Sequence, residues 1–416
     1  MSVQGPKNFF PPIPETFDSL GISENSVTDL VMRRMLIEGQ STLENLSNKL
    51  RLSLPIVDAV FRQMRSQQQV EVKGMRGNDY FFVLSQAGRQ YAAERWQLNQ
   101  YAGACPVSLD DYCQATKAQA AQISIDRSIL RQCFSDLIVT DRMLDQLGPA
   151  LISQSSIFVY GPTGNGKTSL AERMLRIYDD GVLIPYAVEV DNQIISLFDP
   201  VVHEPLPYEN NQLDPRWIYC KRPCIVVGGE LVPAMLELRL DDSSGIYSAP
   251  LQMKANNGIF IIDDFGRQLI SPRDLLNRWI VPLDRRVDYL SLRYGVKFQI
   301  PFELMVVFST NLEPSDLADE AFLRRIHNKI FVEAVRSEQF DNIFERVFYS
   351  RGVPYEAGTP ELVRKLCLRE GRTELRACYP NDICNLLSAI ASYEGRQVTS
   401  SPGDLERACS LYFAKT

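Results

Sequence analysis

Histidine is nearly absent from this sequence, with only His203 and His327, and there is no run of about 18 uninterrupted apolar residues. The first shortage removes histidine-based metal centres. Of nine scattered cysteines only Cys220 and Cys224 stand close together, so no zinc-like spacing arises, and reduced, buried thiols of a cytoplasmic protein are expected. The second predicts no transmembrane helix. Residues 1–14 hold no basic region followed by an apolar core, so no secretory signal is expected. Positive charge is also short: 44 Lys and Arg against 51 Asp and Glu leave a net charge of −7. That excludes a chain that coats nucleic acid over its whole surface and leaves room for a local basic patch. No protease or nuclease motif is present.

What remains is an ordinary globular balance of 45% hydrophobic and 23% charged residues. A length of 416 residues exceeds what one compact core usually spans, so two or three domains are expected. Residues 1–20 are proline-rich and read as an extended lead-in. Apolar spacing then predicts a helix from Val27, a second over 42–50 and a third over 54–66, where Ile56, Val57, Val60, Phe61 and Met64 share a face. Two strand-like runs follow, 69–73 and 79–84, joined by a turn at 74–78. Three helices and a hairpin in this order resemble a winged helix-turn-helix, assigned to residues 21–98. Residues 99–120 read as a linker. Helices over 125–137 and 144–151 lead into alternating strand and helix signals that run to about Val335. This pattern predicts an α/β domain, 121–335, with a parallel sheet covered by helices. Residues 336–416 read as a helical lid, with helices over 340–349, 360–369, 382–393 and 402–413.

The most informative segment is the apolar strand Ile157-Phe158-Val159-Tyr160 followed by Gly161-Pro162-Thr163-Gly164-Asn165-Gly166-Lys167-Thr168-Ser169. This is a complete G-x4-G-K-[ST] loop in its required setting, a buried strand before it and an apolar-periodic helix after it. Glycines let backbone N–H groups curl around an anion, and the helix that begins near Gly166 adds its dipole. Residues 161–169 are thus the candidate ATP-binding residues, Lys167 for the β- and γ-phosphates and Thr168 for magnesium. A second apolar run, 258–262, ends in Asp263-Asp264, the Walker B form. A buried parallel strand delivers such carboxylates to the ligand crevice. Asp263 is the second candidate magnesium residue, and Asp264 the candidate that polarises the attacking water. An apolar strand that meets a helix N-cap is the competing reading of this run, and its partnership with the glycine-rich loop decides against it.

Three later segments make the chain resemble the AAA+ ATPases. Strand 304–309 ends in Thr310-Asn311 and resembles sensor 1, which implies that Asn311 orients the water. Residues 319–326, with Arg324 and Arg325, resemble the segment whose arginine reaches a neighbour's γ-phosphate, which implies a ring-shaped homo-oligomer, a hexamer. Residues 289–301 alternate polar and apolar around Gly295, as a hairpin would, just before the sensor 1 strand. This placement is similar to that in MoxR-like chaperones and bacterial enhancer-binding activators. The long segment 179–257 leaves room for an insertion that faces the pore of the ring, where Tyr247, Leu251 and Met253 would touch a partner or pack in a core. The chain departs from the family at Asn381, where a sensor 2 arginine is common, with Arg372 and Arg376 as possible substitutes. Walker B ends in Asp264 in place of the commoner Glu.

The expected function is therefore an ATP- and magnesium-dependent ring ATPase that remodels a protein partner, with no membrane role. Two alternatives stay open. Residues 21–100 carry ten Lys and Arg against eight Asp and Glu, so the N-terminal module would either read duplex DNA or dock protein. The departure at Asn381 leaves a nucleotide-switched scaffold with little turnover as the other.

Overall fold

The computed structural model describes residues 9–77, 79–208, 210, 212–317, 323–369 and 373–413. Asn78, Arg372 and residues 319–322 of the arginine-bearing segment lie outside the described residues, as does the side chain of Arg76. Among the described residues no helix is long and apolar enough to cross a membrane.

The N-terminal module has helices Glu24–Glu38, Leu43–Leu50 and Leu54–Ser66, then the antiparallel strands Val70–Arg76 and Asp79–Leu84. The short strand Gln40–Thr42 pairs with Asp79–Leu84 and completes a three-stranded sheet. Side-chain oxygens of Ser23 and Thr42 accept from free N–H groups at the starts of the first two helices, which is why the helices begin there. Phe61, Phe82, Leu84 and the face of Leu54–Ser66 bearing Ile56, Val57, Val60 and Met64 form one buried core. A further helix, Gln86–Leu98, packs on Glu24–Glu38; its Tyr91 hydroxyl donates to Asp29 at 2.9 Å.

At the centre lies a five-stranded, all-parallel sheet: β1 (Ile157–Tyr160), β2 (Cys224–Val227), β3 (Ile259–Ile262), β4 (Met305–Thr310) and β5 (Asn328–Phe331), in the order β2-β3-β4-β1-β5. Alternation along each strand sends successive side chains to opposite faces. Ile157, Val159, Ile259, Ile261, Met305 and Val307 pack with helices α1 (Asp141–Ser153) and α2 (Lys167–Arg173). Phe158, Phe260, Ile262, Val306 and Phe308 pack on the other face with α3 (Pro272–Arg285), through Trp279. Helices thus cover both faces, the α/β layering expected from the sequence. Four helices follow, α4 (Ser337–Ser350), α5 (Thr359–Cys367), α6 (Tyr379–Tyr393) and α7 (Pro402–Tyr412), around a core that includes Phe340, Phe344, Phe348, Ile383 and Leu405.

Two expectations are corrected. Residues 99–120 are not a linker. Val107–Ser108 is a strand, the Ser108 hydroxyl caps the helix Leu109–Ala118, and Val107, Tyr112 and Ala115 are buried. The long segment after α2 packs as a layer, and the second correction is to the partner contact expected of its residues Tyr247 and Met253. Its strands Ala187–Val190, Gln193–Ser196, Arg239–Asp241 and Ile246–Ser248 join Val107–Ser108 in a second five-stranded sheet. The antiparallel pair Gly181–Pro185 with Trp217–Lys221, and the hairpin Val287–Ser291 with Lys297–Pro301, share its core. Tyr247 and Met253 are buried there, so they pack and do not reach out to a partner. The short strands were hard to see because each has only two to five residues, too few for a period to show.

The proline-rich start also packs. Phe9 meets Trp217 edge to face at 5.2 Å, and Asp214 N–H donates to Pro11 O at 3.0 Å. Arg216 is the tie between layers. It forks onto Asp214 (Nη2–Oδ2 2.8 Å) and donates to the carbonyls of Leu20 (3.0 Å) and Pro106 (3.1 Å), with both charged side chains almost wholly buried.

Candidate nucleotide site

The loop 161–166 leaves the C-terminal end of β1 and enters α2 at Gly166. Its path depends on missing side chains. Gly161 has φ +135°, and a Cβ there would meet Val332 O at 2.3 Å. Lys167 is buried at the head of α2, and its ammonium donates to Gly161 O (2.9 Å), Pro162 O (2.9 Å) and Asn311 Oδ1 (2.6 Å). Burial pulls its pKa below the ordinary lysine value. Asp264 and Asp263 oppose that shift, and Arg376 adds to it. Thr168 donates to Asp263 Oδ2 at 2.8 Å, and Ser169 stands half-buried beside it in the first turn. Thr163 is exposed at the loop's tip.

Opposite the loop, β3 delivers Asp263 and Asp264 and β4 delivers Thr310 and Asn311. Asn311 bridges the two sides, accepting from Lys167 and donating from Nδ2 to Asp264 Oδ1 at 3.3 Å. Three neighbouring parallel strands thus bring Lys167, Thr168, Asp263, Asp264 and Asn311 into one hydrogen-bonded group at their C-terminal ends. A glycine-rich loop that leads into a helix N-terminus, an ammonium held against it, and a hydroxyl–carboxylate pair beside it fit a nucleoside triphosphate with a divalent cation. Lys167 would meet the phosphates; Thr168 and Asp263 would hold the cation.

Lid residues reach this loop directly. Cys378 N–H donates to Gly164 O at 2.9 Å and Ala377 N–H to Asn165 Oδ1 at 3.2 Å. A Cβ on Gly164 would lie 2.8 Å from Cys378 Sγ and 3.3 Å from Arg376 Cδ. Asn381, at the position expected for sensor 2, is instead engaged with Arg351, whose Nη2 donates to Asn381 Oδ1 at 3.1 Å. Arg376 stands on the phosphate loop three residues before α6 begins. Only its nearness to α6 in the sequence hinted at this.

Arg324 and Arg325 are not brought to this site. Ser156 donates to Arg325 O at 3.3 Å, at the opposite end of β1, and Arg325 Nε pairs with Asp284 at 2.8 Å. Asn328 pairs with Ile157, so the arginines lie about 13 Å or more from Gly161, at roughly 3.3 Å per residue along the strand. They line an open cleft of about 330 Å³ with Asp284 and His327. A residue the sequence did not single out, Gln268, sits under the Walker B turn. Its Nε2 donates to Asp263 O (2.7 Å) and Asp264 O (3.2 Å). No group of metal-ligating side chains occurs elsewhere among the described residues.

Residues 336–411, the lid helices, match the family described as a domain of unknown function (DUF8689). No curated protein matches the chain in sequence. Among solved structures the chain is similar to a point mutant of RuvB from Thermotoga maritima, at 11% identity and TM-score 0.39, over 67% of this chain and 72% of that one. It is similar also to the same organism's RuvB Holliday junction branch migration motor, at 12% identity and TM-score 0.37, over 70% and 72%.

Proposed function

We propose that this chain is an ATPase of the AAA+ type that binds Mg-ATP at the P-loop and hydrolyses it in a ring of identical subunits to remodel a protein partner in the cytoplasm. The observation that carries the reading is the single hydrogen-bonded group of Lys167, Thr168, Asp263, Asp264 and Asn311. Lys167 and the N–H groups of residues 161–169 bind the phosphates. Asp264, with Asn311 fixing one oxygen, orients the attacking water and takes up its proton. Magnesium, held by Thr168 and Asp263, supplies charge neutralisation at the phosphate oxygens. Arg376 on the phosphate loop takes the place of the sensor 2 arginine, which supports turnover over a nucleotide-switched scaffold.

Arg324 and Arg325 lie at the far end of the sheet from their own P-loop. That supports action in trans, on a neighbour's γ-phosphate, where an arginine supplies roughly 10³- to 10⁵-fold in rate. The hairpin 287–301 before β4 is similar in placement to that of MoxR-like chaperones and their relatives.

The N-terminal module is read as a winged helix that docks protein. On its third helix Arg62 is paired with Asp58 at 2.6 Å, and on the hairpin Lys73 with Glu71 at 2.6 Å, while Val72 and Met75 are exposed beside them. Cations already neutralised on the same face supply little of the phosphate attraction on which duplex binding depends. Ser53, at the start of that helix, donates to Pro14 O at 2.5 Å, which ties the end that would enter a major groove to the lead-in.

Steady-state ATPase rate against protein concentration, for wild type and Asp264→Asn, tests the proposal. A rate per subunit that rises with concentration and is lost in the variant is expected. A rate independent of concentration refutes action in trans, and tight ATP binding without turnover in wild type refutes the ATPase itself. Salt-sensitive duplex DNA binding by the full chain would restore the DNA-regulator reading.

A further inference from the structure

The Walker B turn is held in a conformation that its own residues do not favour. Asp264 has φ +47°, in the left-handed region where a residue with a β-carbon is strained by roughly 1–2 kcal/mol. The turn reverses the chain sharply after β3. Its backbone is held on both sides of Asp264: Asp263 N–H donates to Val227 O (2.8 Å), Phe265 N–H to Ser309 O (2.7 Å) and Arg267 N–H to Asp264 O (3.0 Å). Thr310 Oγ1 donates to Phe265 O at 2.7 Å. These bonds fix the chain before and after the acidic pair, and the carbonyls of Asp263 and Asp264 take a further partner.

One side chain reaches both. The Gln268 amide donates from Nε2 to Asp263 O at 2.7 Å and to Asp264 O at 3.2 Å, while its Oε1 accepts from Gly266 N–H at 2.8 Å. Only a primary amide offers donors and an acceptor on one planar head at this reach. A carboxylate of the same length would turn an oxygen toward two carbonyl oxygens, and an asparagine is one methylene shorter. The orientation of the Asp263 carbonyl fixes ψ at Asp263, and with it the direction in which the chain presents Asp264, while the Asp263 side chain lies upstream of that bond and is set by β3. In this arrangement Asp263 meets Thr168 at 2.8 Å and Asp264 meets Asn311 at 3.3 Å.

We infer that Gln268 is a positioning residue for hydrolysis, clamping the strained turn so that Asp264 faces the attacking water; this rests on the ATPase reading above. It acts through the backbone of the acidic pair and not on phosphate or water. Its loss therefore leaves ATP affinity in place and removes rate, because a misplacement of about 1 Å in a reacting group costs on the order of 100-fold.

The experiment compares wild type, Gln268→Glu and Gln268→Ala in the full-length chain, reading kcat, KM for Mg-ATP, equilibrium affinity for ATP and thermal midpoint. Expected are a roughly 100-fold loss of kcat in both variants, KM and affinity within about 3-fold of wild type, and a retained thermal shift on adding ATP. Folded variants with wild-type kcat overturn the inference while leaving the ATPase reading intact. Affinity and kcat that fall together overturn it as well, since that is the mark of a structural role. A wild type that binds Mg-ATP but does not turn it over overturns both readings.

Discussion

Gly164→Ala puts a methyl group where the lid meets the phosphate loop, and its cost has two separable parts. At φ +78° the added β-carbon meets the left-handed penalty of roughly 1–2 kcal/mol wherever the lid lies. The same carbon would lie 2.8 Å from Cys378 Sγ and 3.3 Å from Arg376 Cδ. The sulfur contact is shorter than any carbon–sulfur approach in a packed interior, so loop or lid must shift, a coupling of about 0.5–3 kcal/mol. Together the variant should cost about 1.5–5 kcal/mol. Cys378→Ala removes the sulfur and keeps the N–H that donates to Gly164 O. In that background the backbone strain and the milder Arg376 contact should remain. Thermal midpoints of the four proteins measure the cycle, at roughly 2–4 °C per kcal/mol for a domain of this class. Gly164→Ala should lower the midpoint by several degrees in wild type and by clearly less in Cys378→Ala. Equal drops in the two backgrounds would refute the contact between lid and loop, and with it the role proposed for Arg376.

Arg376→Ala should weaken Mg-ATP binding or slow turnover by about 10-fold or more, the value of one charge-assisted hydrogen bond, and should affect ADP less; Arg351→Ala, which frees Asn381, should leave both nucleotides alone. Equal effects of the two in nucleotide titrations would return the role to Asn381. Arg216→Ala strands the buried Asp214 and two carbonyls, at a cost of about 3–5 kcal/mol, and Arg216→Ala with Asp214→Ala should recover part of it; a thermal midpoint unchanged in the single variant refutes this. His203 is buried and neutral. Its Nδ1 accepts from Asp199 N–H (3.0 Å) and its Nε2 donates to Lys254 O (2.9 Å), and burial holds its pKa below the ordinary value of 6.5 against the opposing pull of Lys254 O and Asp199. The unfolded chain therefore binds the proton first. The stabilisation is complete above about pH 6.5 and is lost as pH falls below it, at no more than about 1.4 kcal/mol per pH unit. Melting curves between pH 7.5 and 5.5 should be flatter for His203→Gln, and equal slopes would exclude His203 as the cause.

The phosphate loop, the acidic pair and Asn311 were legible because their spacing is fixed by strand ends and by the reach of a backbone around an anion. The lid helices and the helix Leu54–Ser66 were legible from apolar periodicity, and the hairpin around Gly295 from alternation. The second sheet was not. Its strands run three to five residues or fewer, too short for a period to declare itself, and Val107 finds its partner Val188 only through the fold. Gln268 escaped for a different reason. It acts on backbone through a side chain whose type is common in surface loops, so nothing local distinguishes it, whereas Arg376 was one of two arginines named beside Asn381. Asn381 was placed correctly in the chain, but its partner Arg351 lies outside α6, just past the end of α4.

The second sheet also dictates an order of events as the chain is made. Residues 20–105 share one core, which can close as soon as they emerge. Val107–Ser108 cannot, because its partners Val188–Glu189 come 81 positions later, and the Lys297–Pro301 strand that shares its core comes later still. At about 5–20 residues per second, the interval to the first partner alone is several seconds, during which the apolar face of Leu109–Ala118 has nothing to bury against. Synthesis therefore passes through a stage in which a finished first module trails an unpaired strand, and the hydrogen-bonded group at the glycine-rich loop, whose last member is Asn311, is completed only after the layer beside it can form.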